Sequence, residues 1–157
     1  MAPNLSLCLL TGDPAATAAR LAVLRPHVDE IVVALDARAA DGIDLLGAAD
    51  HCLVYDFAFP SSRNFAWLNA QCTGRWRLRL DADELPGCEL LDALPDLTAA
   101  EDVTHYWLPR RWLSGDADTW LCGPPWYPDY QLRLVRNDPA VDRPPRRAHD
   151  LAPVDRK

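Results

Sequence analysis

Residues 75–87 read RWRLRLDADELPG, and this stretch decides the fold. Trp76, Leu78 and Leu80 fall on every second position, the period of a strand with one face buried. Pro86 and Gly87 forbid the strand from continuing. Asp81 and Asp83 are therefore placed where a strand ends and a turn begins. In an open α/β sheet, ligands bind at the carboxyl ends of the strands.

Three further strands precede this one. The run LSLCLL (5–10) closes at Thr11, Gly12, Asp13 and Pro14, EIVVAL (30–35) ends at Asp36, and HCLVYDF (51–57) is the third. Between them, PAATAARLAVLRP (14–26) is a helix that stops before Pro26, and DGIDLLGAAD (41–50) is read as a short helix. SSRNFAWLNAQC (61–72) is a helix capped by Ser61 or Ser62, with Phe65, Leu68 and Cys72 on one face. Strands alternating with helices predict an α/β fold, a mainly parallel Rossmann-like sheet with helices on both faces. Arg77 and Arg79 run against this pattern, because they alternate with Leu78 and Leu80 where a central parallel strand is apolar. They are expected to pair with acidic residues or to reach a solvent edge.

After Gly87 the character changes. CELLDALPDL (88–97) is a short helix, and residues 104–135 hold seven of the thirteen aromatics, so this part is expected to be an aromatic-rich antiparallel addition. THYWLPRRWL and YQLRLV look like strands, with a Gly/Asp/Pro-rich loop between them. The aromatics either fill a core or hairpin or form an exposed surface. The organisation expected is one domain over 1–136, in two parts, 5–87 and 88–136. Residues 137–157, Pro- and Arg-rich, are read as loop or tail.

Composition narrows the function classes. The 157 residues suit one domain, and 49% apolar content indicates a globular chain. A net charge of −7 with a pI near 4.9 argues against a nucleic-acid partner held by bulk electrostatics. Five cysteines, none in a C-x-x-C pair, form neither a disulfide framework nor a zinc site and fit a reducing, cytoplasmic setting. No segment has the length of a membrane span, which leaves peripheral membrane contact as the form open to it.

Asp81 and Asp83, at i and i+2 in extended chain, can offer two carboxylates to one hard cation. Magnesium is commonly held by one or two carboxylates together with substrate phosphates. An EF-hand is excluded, because Leu85 and Pro86 stand where that loop needs Asp or Asn and Gly. The other reading of the pair is two turn aspartates, one capping the next helix.

Taken together, EIVVALDARAADG, RNFAWLNAQCTGRWRLRLDADE and YPDYQLRLVRN resemble, in order and approximate spacing, the bacterial family 2 glycosyltransferases. The most specific part is the joint presence of SRNFAWLNA and LRLDADE, and the likeness covers nearly all of residues 5–150. The resemblance implies a GT-A fold with a nucleotide-sugar half (5–87) and an acceptor side (88–136) where the aromatics would stack acceptor sugars. It also implies a nucleoside-diphosphate-sugar donor, a divalent cofactor (Mn or Mg) and inverting transfer to a glycan, lipid or protein acceptor. By the same resemblance, Asp81 and Asp83 match the metal and ribose-diphosphate carboxylates, Asp36 a nucleotide contact, and Arg63 the arginine opening the next helix. An arginine in a first helical turn is opposed by the helix dipole, so a nearby anion would favour it. Thr11 and Asp13 fall at the nucleotide-binding turn, where TGDP departs from the family's Asn-Glu or related pair. His149 falls where a third metal ligand is often placed. Asp129 is the candidate catalytic base, with Asp116 and Asp118 as alternatives. The chain stops at Lys157, short for the family, so a truncated non-catalytic nucleotide-sugar-binding module is the alternative reading. A nucleotidyltransferase ranks below it, because no Gly-rich phosphate loop follows strand one.

Overall fold

A computed structural model of the chain describes residues 4–56 and 65–141. Six strands form one sheet in the order β3-β2-β1-β4-β8-β5, and β6 and β7 form a separate two-stranded hairpin. The strands are β1 (Leu5–Thr11), β2 (Glu30–Asp36), β3 (His51–Tyr55), β4 (Trp76–Asp81), β5 (His105–Arg110), β6 (Leu113–Ser114), β7 (Asp116–Trp120) and β8 (Asp129–Arg136). β1 pairs in parallel with both β2 and β4, and β2 in parallel with β3. β8 is antiparallel to β4 and to β5. The expected α/β class, with an antiparallel C-terminal part, is what the chain adopts. Because β8 lies between β4 and β5, the two expected halves share one continuous sheet.

The helices are α1 (Pro14–Leu24), α2 (Phe65–Asn69) and α3 (Cys88–Ala99). Asp13 caps α1 by accepting from the Ala16 N–H at 2.9 Å, and Pro14 opens it. Residues Ala37–Leu46 wind as a 3₁₀ helix rather than the short α-helix expected. Asp41, Gly42 and Asp44 are poor helix formers, so no strong propensity opposes the tighter winding.

The two sheet faces bury different chemistry. On one, Leu5, Leu7, Leu9, Ile31, Val33, Leu35, Trp76, Leu78 and Leu80 pack with Leu21 and Leu24 of α1 and Leu91 and Leu94 of α3. On the other, a smaller cluster of Cys8, Val32, Ala34, Leu68 and Cys72 packs under α2. Helices thus cover both faces, as βα crossovers require. The second face also carries Ser6, Glu30, Arg77, Arg79 and Asp81, set there by strand alternation and register. Glu30 is buried and accepts from the Ser6 hydroxyl, from the Thr73 N–H at 2.8 Å and from the Thr73 hydroxyl at 2.8 Å. Burial opposes its ionisation, yet those hydrogen bonds hold its carboxyl below the ordinary value. A Cβ on Gly74 would stand 2.5 Å from Ser6 Oγ, so only glycine lets this loop close on β1. None of the five cysteines is in a disulfide. Among the described residues no helix is long and apolar enough to cross a membrane.

Candidate functional site

The connection from β1 through α1 leads to β2 on one side, whereas the chain returns from β3 through α2 to β4 on the other side of β1. β1 and β4 therefore flank the topological switch point, and a crevice opens outside their carboxyl ends. Four of the sequence-predicted residues lie along this edge. Thr11 and Asp13 form the turn after β1, Asp36 ends β2 and Asp81 ends β4. Asp81 is level with Leu10 and Ala34 in register, and Asp36 lies two residues beyond Ala34, so both carboxylates are on the α2 face. One strand separates them, a lateral spacing of about 10 Å. A Cβ on Gly12 would be 3.8 Å from Asp36 Cβ, which brings the β1 turn against the end of β2.

Each of these residues is held locally. The Thr11 hydroxyl is within 2.8 Å of Thr17 Oγ1 and accepts from the Asp13 N–H at 3.0 Å, while the Asp13 carboxylate caps α1. These two side chains build the turn. Asp36 accepts from the Arg38 guanidinium through two nitrogens and from the Arg38 N–H at 2.9 Å. Those bonds from Arg38, outweighing partial burial, bring its carboxyl down to about 2.

Around Asp81 the structure supplies partners on which the sequence was silent. Arg133, from the middle of β8, lies on the same face and donates to Asp81 Oδ2 at 2.6 Å and to Glu84 Oε1 at 2.5 Å. Its side chain is 7% exposed. Burial disfavours its charge, but the two carboxylates more than offset that and raise its pKa. Glu84 closes the D-A-D-E turn on itself, accepting from the Asp81 N–H at 3.1 Å while its own N–H donates to the Asp81 carbonyl at 3.0 Å. Arg110 donates to Glu84 at 3.4 Å and to Asp129 through Nε at 2.9 Å and Nη2 at 2.7 Å. Gln131 at 2.6 Å and the Trp112 indole at 3.0 Å complete the Asp129 set.

A continuous ionic chain thus runs Asp81–Arg133–Glu84–Arg110–Asp129 along the carboxyl edge. Burial pushes the Asp129 carboxyl up, but the bonds from Arg110, Gln131 and Trp112 outweigh it and hold it below the ordinary value. Arg79, desolvated and repelled by Arg133, has its pKa lowered. Asp81 and Glu84 act on it in the opposite sense without overcoming those two effects.

Asp83, the second turn aspartate, is exposed and has no ionic partner among the described residues. Asp116 accepts from the N–H groups of Asp118 and Thr119, at 3.0 and 2.6 Å, so it serves its own turn in the hairpin. Arg63 and His149 lie outside the described residues. Arg133, Arg110 and Glu84 escaped the sequence reading, although Glu84 stands inside the quoted DADE. The available signal was the misplaced Arg77/Arg79 alternation beside that turn, together with a third arginine at the same period in YQLRLVR.

No family model matches this chain, and no curated protein does. Among solved structures, S. aureus TarS 1-349 superposes with a TM-score of 0.46 at 13% identity, over 85% of this chain and 47% of that one. The chain thus spans about half the length of that structure. The 4-diphosphocytidyl-2C-methyl-D-erythritolsynthase from Anaerococcus prevotii gives 0.48 at 12% identity, over 85% and 70%. Likenesses this loose carry no argument about activity, which therefore rests on the site itself.

Proposed function

We propose that this chain is a glycosyltransferase of the family 2 type. In this reading it binds a nucleoside-diphosphate sugar across the carboxyl ends of β2, β1 and β4 and transfers the glycosyl group, with inversion, to an acceptor hydroxyl. The observation that carries the reading is the pair of carboxylates, Asp36 and Asp81, on one sheet face either side of the β1 turn at the switch point. The resemblance of SRNFAWLNA and LRLDADE to family 2 glycosyltransferases supports it from the sequence side.

In this reading the end of β4 would share a divalent cation with the substrate. Among the described residues no group of three or more His, Cys, Asp and Glu gathers into a full cage. Two carboxylates completed by substrate phosphates is an arrangement magnesium commonly adopts. Asp81 and Asp83 would hold magnesium or manganese, which would offset charge on the departing diphosphate. His149 as a further ligand and Arg63 as a diphosphate contact belong to the same proposal. Arg133 fixes the orientation of Asp81 and leaves Asp83 facing solvent.

Asp129 is the proposed proton acceptor. Its depressed pKa makes it a weak base while Arg110 occupies it. Glu84 already touches Arg110 from the other side, so a shift of the guanidinium toward Glu84 would release Asp129 for that role.

The test is a thermal-shift and calorimetric panel of UDP-, GDP- and dTDP-sugars with manganese and with EDTA. At least one donor should stabilise the protein, and Asp81→Ala and Asp83→Ala should each remove the manganese-dependent part while circular dichroism stays unchanged. Binding of no nucleotide sugar would overturn the function. Binding indifferent to EDTA would remove the metal from it.

A further inference from the structure

Beyond Arg110 the chain leaves the sheet and forms the β6–β7 hairpin, turning at Gly115 with φ +88°. Its aromatic side chains do not fold into either sheet core. Trp112 and Trp126 meet edge to face with centroids 5.6 Å apart, and they remain 41% and 45% exposed. Leu113, Leu121 and Tyr130 are also exposed. Two exposed indoles in contact offer the kind of apolar surface that can mark a binding place.

The platform differs from a plain hydrophobic patch in what holds it. The Trp112 indole N–H donates to Asp129 Oδ2 at 3.0 Å, and the Arg110 guanidinium carbon lies 4.4 Å from the Trp112 ring centroid. Asp129, which also accepts from Gln131, stands at the edge of the Trp112 ring. The same Arg110 and Asp129 connect through Glu84 and Arg133 to Asp81, so the rings are anchored to the proposed donor site by consecutive ion pairs.

We propose that Trp112 and Trp126 form a saccharide-binding subsite, and that the acceptor is a neutral sugar chain. This deepens the function proposed above and rests on it for the word acceptor. A pyranose ring has an apolar C–H face bordered by hydroxyls. Its face packs on an indole, and its hydroxyls exchange hydrogen bonds with carboxylate, amide and guanidinium groups at the ring's edge. A lipid surface would bury that polar rim without replacing its bonds with water. The exposed Asp116 and Asp118 in the same hairpin, on a chain of net charge −7, further oppose an anionic membrane.

The test uses the full chain without nucleotide. Cellohexaose, maltohexaose and chitohexaose are titrated while the indole N–H signals are followed by NMR. At least one should bind saturably, moving the Trp112 and Trp126 signals and leaving that of the core residue Trp76 in place. Trp112→Ala and Trp126→Ala should each weaken binding about tenfold, and Trp112→Phe should keep most of it. Loss of all saccharide binding in the wild type, shifts that spare both indoles, or binding to phosphatidylglycerol vesicles in place of sugars would each overturn the inference. Nucleotide-sugar binding is a separate arm, so a failed donor site and a failed platform give different results.

Discussion

On the α1 face of the sheet, Leu7, Ile31, Val33, Trp76 and Leu78 are fully buried among other apolar side chains. On the α2 face the same strands bury Ser6, Glu30 and Arg77, and neighbouring β8 adds Arg133. Both faces are buried, yet the α2 face mixes a smaller apolar cluster with charged side chains. The apolar face fixes register, since a slip of one residue would turn every leucine outward. The polar face contributes far less to stability, because burying charge costs nearly as much as pairing returns. Apart from Glu30 and Asp36 on β2, its charged groups gather toward β4 and β8, where they end in Asp81 and Glu84. A sheet that spends one face on ionic pairs at its carboxyl edge is organised for binding as much as for folding.

That division can be broken most forcefully on the apolar face. Trp76 is fully buried, with its ring 5.7 Å from that of Tyr106. Trp76→Ala should cost about 3–5 kcal/mol in urea unfolding, a large part of the stability of a typical domain. A cost under about 1 kcal/mol would mean that this face can collapse around the hole and does not define the fold as argued.

The polar face should respond less, and differently. Arg133→Met leaves Asp81 and Glu84 facing each other without their shared cation. For fully buried pairs such a loss is about 3–5 kcal/mol, and with Asp81 27% exposed we expect about 2. Adding Glu84→Gln to Arg133→Met should recover part of that loss, since one uncompensated carboxylate is gone. Simple additivity of the two substitutions in a double-mutant cycle would show that the ionic chain is not a coupled unit.

How much of this was legible follows from the same contrast. β1 and β2 could be read because parallel strands buried on both sides show as apolar runs, β4 because Trp76, Leu78 and Leu80 alternate, and their ends were marked by Gly12-Asp13, Asp36 and Pro86-Gly87. Asp36 and Asp81 were legible as strand-end carboxylates. Arg133 was not, because its bond to Asp81 spans 52 residues and depends on β8 inserting between β4 and β5. The alternation of Arg77 and Arg79 announced a polar face without naming its partners. The β6–β7 hairpin was read as loop, since Gly115, Asp116 and Asp118 have low strand propensity. It forms because Ser114 pairs directly with Asp116 around a glycine in left-handed conformation.

The smallest expected effect lies at the far end of the polar face and sharpens the comparison through pH. Asp36 is buried, but its partner Arg38 is 77% exposed, so water and salt screen their attraction. In the folded protein its carboxyl titrates at about 2, against an ordinary 3.8. The unfolded chain therefore binds the proton first as the solution is acidified. The ionised carboxylate thus stabilises the fold fully above the unfolded value, and the contribution fades as pH falls through the interval between the two. Asn at this position keeps an acceptor for the Arg38 N–H and loses only the charge. Asp36→Asn should accordingly lower the urea midpoint slightly at pH 7, with the gap from wild type narrowing below pH 3.8 and shrinking in 1 M salt. A gap unchanged by acid and salt would place the value of Asp36 in the shape of the turn after β2, and would end the ionic character of this face at β1.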